Sequence, residues 1–284
     1  VRVRSRNAFG LSADYSEIEE FSTIPATPTT PQISDIAQNT AVVNWSAIEG
    51  AEDYLIFVAL DSTFTNYATG YNGRVLSNLE ENIVNLQPGT EYWVRLRSRN
   101  ESGLSPFSTA AKSTTIASSP QLIATDVKQI GLTLNWQLQK GANSYEIQLD
   151  GAAETLIVDG ETTSFRFDTL SFGSQYAFRI RSVNSSGNSP WSADFVVTTI
   201  PGDPLIESTT EVSNTSAVVN WQAVGGATGY LIDISRDELF TNFVGGYQSR
   251  LINTTSESII GLLPGTTYYL KLRAVNESGI SGFS

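Results

Sequence analysis

Residues 86–103 read Leu86-Gln-Pro-Gly-Thr-Glu-Tyr92-Trp-Val-Arg-Leu-Arg-Ser-Arg-Asn100-Glu-Ser-Gly103. The first seven residues are a turn, with Pro88-Gly89 set between Leu86 and Tyr92. The eight from Tyr92 to Arg99 alternate. Tyr92, Val94, Leu96 and Ser98 fall on one side of an extended chain, and Trp93, Arg95, Arg97 and Arg99 fall on the other. Successive strand side chains point to opposite faces, so this stretch is a strand with one face made for a core. Asn100 and Gly103 open the next turn.

The same skeleton occurs three times. Trp45 precedes Leu86 to Tyr92 and Asn100 to Gly103; Trp136 precedes Leu170-Ser-Phe-Gly-Ser-Gln-Tyr176 and Asn184-Ser-Ser-Gly187; Trp221 precedes Leu262-Leu-Pro-Gly-Thr-Thr-Tyr268 and Asn276-Glu-Ser-Gly279. A fixed period of this kind is the mark of a tandem array. Trp45 to Ser108 aligns without a gap on Trp221 to Ser284, 176 residues on, with 30 of 64 positions identical. These two copies form one type, A, and the middle copy is a second type, B. The opening Val1-Arg-Val-Arg-Ser-Arg-Asn7-Ala-Phe-Gly10 matches Val94 to Gly103, and Thr23-Ile24-Pro25 matches Thr199-Ile200-Pro201. Residues 1–24 therefore read as the C-terminal strands of a preceding type B module. Modules are expected at 27–116 (A), 117–200 (B) and 201–284 (A). By alignment with Ser108 to Thr115, the last strand of the third is missing. The separators Pro25 to Pro31, Ala117 to Pro120 and Pro201 to Pro204 favour short, extended, semi-rigid spacers.

Each module shows short alternating runs, such as Ala41 to Trp45 and Tyr54 to Val58, separated by Gly50, Asn72-Gly73, Pro88-Gly89 and Gly103. Capped helical patterns are absent. Several strands in about 90 residues, with an early Trp, imply an all-β, two-sheet sandwich. The ordered set of Trp, Leu-x-Pro-Gly-Thr-x-Tyr, alternating strand and Asn-x-x-Gly resembles the fibronectin type III module. The resemblance covers essentially the whole chain. It implies tandem seven-stranded, immunoglobulin-like β-sandwiches, beads on a string, and it implies that Tyr92, Tyr176 and Tyr268 form the family's tyrosine corner, the hydroxyl bonding back to the backbone. Module 2 departs from the pattern with Phe172-Gly173 in place of Pro-Gly and with a shorter middle region. The A-type stretch Asp61-x-x-Phe64-Thr-Asn66 with Gly70-Tyr71 is similar to modules in secreted and surface proteins of Bacteroidetes-type bacteria.

Composition narrows the chemistry. The chain has 284 residues and contains no Cys, Met or His. Disulfides, thiolate nucleophiles, histidine bases and histidine-ligated zinc are excluded. The net charge of −12 is spread as −1, −4, −3 and −4 over residues 1–26, 27–116, 117–200 and 201–284. An even acidic surface argues against nucleic acid, which needs a basic stripe. No apolar run reaches membrane-spanning length, so no membrane contact is expected within this segment. Paired carboxylates such as Glu80-Glu81 and Glu52-Asp53 fall in turns and edges and do not recur, unlike a glycosidase pair. Asp150-Gly-x-x-Glu154 and Asp159-Gly-Glu161 are too sparse for a calcium loop. No P-loop or dinucleotide fingerprint is present. No catalytic residue, metal site or cofactor is expected.

The outward face of the strand pair carries the main candidate. If Tyr54, Ile56 and Val58 face inward, Leu55 and Phe57 face outward beside Trp93 and Arg95. Two readings stand side by side. The four residues form a contact patch for a sugar or a neighbouring chain, or arginine stems cover apolar groups across the strands. Candidate glycosylation positions are Asn100 and Asn276, in Asn-x-Ser triplets that a turn role also explains, and Ser62, in an Asp-Ser-Thr triplet similar to that bacterial phylum's O-glycosylation site. The expectation is an extracellular or cell-surface array: a stalk, fibre or adhesin shaft serving as spacer and multivalent surface. Its partners would be other copies of itself or cell-surface protein or polysaccharide. An accessory region of a secreted polysaccharide-degrading enzyme and a eukaryotic adhesion receptor ectodomain are the alternatives.

Overall fold

A computed structural model describes residues 1–150 and 154–284. Gly151, Ala152 and Ala153, inside the Asp150 to Glu154 stretch weighed above for calcium, lie outside the described residues. The chain forms two compact units, one of Val1–Ser118 with Asn184–Asn188 and one of Ser119–Val183 with Ser189–Ser284.

In the first unit, β1 (Arg6–Asn7) and β2 (Gly10–Leu11) make a hairpin. The first module follows with β3 (Gln32–Ser34), β4 (Ala41–Asn44), β5 (Asp53–Ala59), β6 (Tyr67–Leu76), β7 (Glu80–Ile83), β8 (Glu91–Asn100), β9 (Gly103–Leu104) and β10 (Ala111–Thr114). One sheet runs β3-β4-β7. The other runs β10-β8-β5-β6, with β9 also on β8. All pairings are antiparallel. The core is made by inward residues of both sheets: Val43, Trp45 and Ile83 from one side, Ile56, Val58, Tyr71, Val94 and Leu96 from the other, with Leu86 from the turn before β8. Burying each such side chain contributes on the order of 1.5–3 kcal/mol, which a module without disulfides needs. Trp45 meets Tyr54 edge-on, centroids 5.6 Å apart.

The second module repeats this order with β11 (Ile123–Thr125), β12 (Leu132–Asn135), β13 (Ser144–Leu149), β14 (Leu156–Asp159), β15 (Ser164–Phe167), β16 (Gln175–Asn184), β17 (Gly187–Asn188) and β18 (Phe195–Thr198). Its sheets are β11-β12-β15 and β14-β13-β16, with β17 and β18 both on β16. The third has β19 (Ile206–Thr210), β20 (Ser216–Trp221), β21 (Gly229–Ser235), β22 (Arg250–Ile252), β23 (Ser256–Ile260), β24 (Tyr269–Asn276) and β25 (Gly279–Ile280), as sheets β19-β20-β23 and β22-β21-β24-β25. Trp136 and Trp221 sit in their cores as Trp45 does, again edge-on to a tyrosine, at 5.8 and 5.5 Å.

The modules differ where the sequence does. In the first, β6 is ten residues long and pairs with β5 through two register shifts around Phe57. In the second, the same edge is held by the four residues of β14. In the third, an open cleft of about 400 Å³ lined by Val219, Ile259, Leu262 and Leu270 lies beside the turn that leads into β24.

Candidate interaction face

The β5–β8 register sets Phe57 opposite Arg95, Leu55 opposite Arg97, Ala59 opposite Trp93 and Asp53 opposite Arg99. Leu55, Phe57, Trp93 and Arg95 are all half-buried on the outer face. What half-buries Phe57 and Arg95 is a ring from elsewhere. Phe107, 37% exposed, lies over β8, its centroid 3.7 Å from the Arg95 guanidinium carbon and 4.7 Å from that of Arg97. Phe64 approaches Arg95 from the other side at 3.9 Å, and Phe57 lies 5.8 Å away. Phe57 and Phe107 meet edge-on at 5.1 Å. A guanidinium held between ring faces gains on the order of 0.5–2 kcal/mol per contact as it loses water. Asp53 takes Arg99 at 2.8 Å, and Ser105 O takes Arg97 Nε at 2.5 Å. Trp93 stands apart at the far end of the strand, its ring 5.2 Å from Lys112 Nζ, which also pairs with Glu91 at 3.0 Å. The structure thus joins Phe57 and Arg95 in one cluster, sets Leu55 beside Arg97, and leaves Trp93 in another.

A local device holds Phe107 there. In Ser105-Pro-Phe107-Ser108 the two hydroxyls replace main-chain partners. Ser105 Oγ accepts from Ser98 N at 3.0 Å and Ser108 Oγ accepts from Leu96 N at 3.0 Å. Each then donates to the carbonyl of the next residue, Pro106 or Thr109. The loop is thereby pinned to the buried side of β8, and the residue between the serines projects across the outer face. The device recurs as Ser189-Pro-Trp191-Ser192 and Ser281-Gly-Phe283-Ser284. Trp191 takes Arg179 and Arg181 at 4.9 and 4.4 Å; Phe283 takes Lys271 and Arg273 at 4.0 and 4.7 Å. Even in residues 1–24, Tyr15 takes Arg2 and Arg4 at 4.8 and 4.9 Å. Phe107, Phe64 and Arg97 belong to the face and are additions to the sequence reading; the repeated Ser-x-aromatic-Ser was the signal for the first.

The face is not the same in every module. Asp233 occupies the position of Phe57 in the third, is only 3% exposed, and accepts from Ser249 N at 2.6 Å with Arg273 at 3.8 Å. In the second, Gln148 and Glu146 bond Arg179 and Arg181. The third module keeps the aromatic clamp, with Phe240 and Phe283 each 4.0 Å from Lys271 Nζ, and differs from the first in having Asp233 where the first has Phe57.

The corner tyrosines act through one bond each. Tyr92 Oη accepts from Gln87 N at 2.8 Å, Tyr176 Oη from Ser171 N at 2.8 Å and Tyr268 Oη from Leu263 N at 2.7 Å. Tyr54, Tyr145 and Tyr230 do the same for Ile48, Gln139 and Val224. Ser62 is exposed in the loop that Asp61 organises. The side-chain nitrogens of Asn100 and Asn276 are donors, to Thr23 O at 2.9 Å and Thr199 O at 2.8 Å. Among the described residues no group of three acidic side chains could hold a metal ion, and no helix is long and apolar enough to cross a membrane.

Two three- to five-stranded antiparallel sheets around a buried Trp, repeated along one chain, define a tandem array of immunoglobulin-like β-sandwiches. The family model for the fibronectin type III domain matches residues 26–114, 118–198 and 203–284, and the chain belongs to that family. Fibronectin type III domain-containing protein 7 of Mus musculus is 24% identical over 265 residues, which are 91% of this chain and 34% of that protein. Tenascin of Gallus gallus is 25% identical over 267 residues, 90% of this chain and 14% of its own length. The chain spans about a third or less of these relatives. A solved two-domain fibronectin type III segment of chicken tenascin covers 61% of this chain and 99% of its own, at 20% identity and a TM-score of 0.39.

Proposed function

We propose that this array is a non-catalytic spacer and multivalent adhesive surface of an extracellular or cell-surface protein. The observation that carries the reading is the repetition itself: in each module an aromatic ring is clamped over two cations on the same strand. Repeated equivalent surfaces bind by number, since linking weak sites raises avidity without new contacts. The outer face of the first module, where Phe57, Phe107 and Arg95 gather beside the buried Phe64, is the surface offered for association with another copy or with cell-surface protein or polysaccharide. The test is electron microscopy of the intact protein from its source. Long thin fibres with a beaded repeat of two modules are expected. Compact particles with a short tail would overturn the spacer reading and direct attention to a polysaccharide-degrading neighbour.

A second reading, the ectodomain of an animal adhesion receptor, is favoured by the animal origin of relatives such as Tenascin and Tyrosine-protein phosphatase Lar. It predicts N-glycans on the intact protein, with a membrane span elsewhere in it; glycopeptide mass spectrometry decides.

A further inference from the structure

Asn276-Glu-Ser-Gly279 does more than turn the chain. Asn276 Oδ1 closes the turn by accepting from Ser278 N at 2.9 Å and Gly279 N at 3.2 Å. Its Nδ2 is left for another partner and donates to Thr199 O at 2.8 Å. Ser278 Oγ donates to Thr198 O at 2.5 Å. Ile200 lies against the bare face of Gly279, where a Cβ would stand 2.9 Å from Ile200 Cδ1. Three consecutive residues that leave the second module are thus held by three residues of the third.

The chemistry fits a strand end. Thr199 N still bonds inside its own module, to Ser174 O at 3.0 Å, while its carbonyl faces outward as the strand leaves the sheet. A buried or half-buried carbonyl needs a donor, and the amide and hydroxyl of the loop supply two at the spacing of neighbouring peptides. The arrangement recurs within the first unit. Asn100 Nδ2 donates to Thr23 O at 2.9 Å, Ser102 Oγ to Ser22 O at 2.8 Å, and a Cβ on Gly103 would lie 3.3 Å from Ile24 Cγ2. Asn184, Ser186 and Gly187 repeat it on Thr115, Thr114 and Ile116, which is why residues 184–188 belong to that unit.

Between the second and third modules the other side of the linker is closed as well. A Cβ on Gly173 would fall 1.9 Å from Gly225 O, and one on Gly226 would fall 2.0 Å from Gly173 O. Gln129 Nε2 reaches Pro201 O at 2.9 Å and Asp203 Oδ1 at 2.7 Å. Two backbones this close leave no room for a side chain.

We infer that the Asn-x-Ser-Gly loop is a docking surface for the extended Ser/Thr-Thr-Ile end of the module before it. At the second joint, loop and glycine contact together fix modules two and three as one body. This is independent of any adhesive role: the joint can be fixed in a protein that forms no fibre. It also gives Asn276 Nδ2, the atom a glycan would take, a structural duty.

The chain has no cysteine, so two introduced thiols are labelled uniquely. Spin labels at Gln137→Cys in the second module and Thr254→Cys in the third report the joint by pulsed electron-electron distance measurement. A pair at Glu238→Cys and Thr254→Cys reports the folding of the third module alone. The full chain is expected to give one narrow distance for the first pair. That distance should broaden severalfold in Asn276→Ala with Ser278→Ala, and separately in Gly173→Ala, while the second pair stays narrow. A broad first distance in the unsubstituted chain overturns the inference. So does a first distance that stays narrow in both variants.

Discussion

Asp61 shows how one carboxylate sets a loop. It accepts from the main-chain N–H groups of Thr63, Thr65 and Asn66 at 3.0, 3.1 and 2.7 Å, and from the Thr63 hydroxyl at 2.5 Å. That collar supports Phe64 at a φ of 58°, a left-handed conformation costly for a bulky residue, and so presents the Phe64 ring to Arg95. Asp237 does the same for Phe240 through Thr241 and Asn242. The Thr63 hydroxyl first, and the Thr65 N–H next, hold the Asp61 carboxyl well below the usual carboxylate range; for Asp237 the Thr241 N–H leads. A carboxyl depressed in the fold binds fewer protons than in the unfolded chain. Its contribution is complete above the unfolded pKa of about 3.9 and is lost as pH falls from there toward the folded value. Urea midpoints measured between about pH 6 and pH 3 should therefore fall with acidity. Asp61→Asn should have a lower midpoint at the upper pH and a shallower fall; an equally steep fall in both proteins counts against the collar. Tyr92→Phe tests a different single bond. It deprives Gln87 N–H of its acceptor and should cost about 1–3 kcal/mol in chemical denaturation.

At the scale of the strand, Ser105-Pro-Phe107-Ser108 joins inner and outer faces. Ser108→Ala strands the buried Leu96 N–H and should destabilise the first module by about 1–3 kcal/mol. Phe107→Ala leaves the serines in place but uncovers Arg95 and Arg97, and should cost about 1–2 kcal/mol through lost ring contacts. Equilibrium unfolding of the two variants separates the roles, since only Phe107→Ala should change the fluorescence or ligand response of the outer face. A loss for Phe107→Ala no larger than for a surface substitution would mean that the ring is an ornament of the loop. This device also marks the boundary of what the sequence discloses. The period-two run from Tyr92 to Arg99 and the thrice-repeated Trp, Leu, Tyr and Gly by themselves define an all-β sandwich array, because alternation and turn residues are local properties. Where Phe107 goes is not local. Hydroxyls standing in for main-chain partners fold it back over a strand ten residues earlier, and spacing alone does not state that. Asp233 makes the same point in reverse: strict alternation puts it outward beside Leu231, yet Ser249 and Arg273 fold over it and bury it. The bulged pairing of β5 with the long β6 likewise goes with Gly70 and Gly73 at φ of 85° and 80°, and a Cβ on Gly73 would stand 3.2 Å from the Phe57 ring.

Among the described residues the buried apolar side chains gather into three clusters with no residue in common, one per module. Each core is closed by its own Trp and its own corner tyrosine, so cohesion inside a module comes from that module's packing alone. What connects the second and third modules is of another kind: a few hydrogen bonds, Ile200 on Gly279, and the close approach of the Gly173 and Gly225 backbones. Bonds of that sort contribute about 0.5–1.5 kcal/mol each, against several kcal/mol for a single buried aliphatic side chain lost from a core. Substitutions in one core should therefore act on one module, since sites without shared partners add independently, and the chain should not unfold as a single two-state unit. Ile56 and Ile232 are equivalent, both fully buried, in the first and third modules. Ile56→Ala should lower one calorimetric transition by an amount matching about 2–5 kcal/mol and leave the transition that Ile232→Ala lowers where it was. The double variant should show both shifts at once, additive to within about 0.5 kcal/mol. A single transition displaced by either substitution alone would mean that the modules fold as one cooperative body, and that the joints carry far more energy than their few bonds account for.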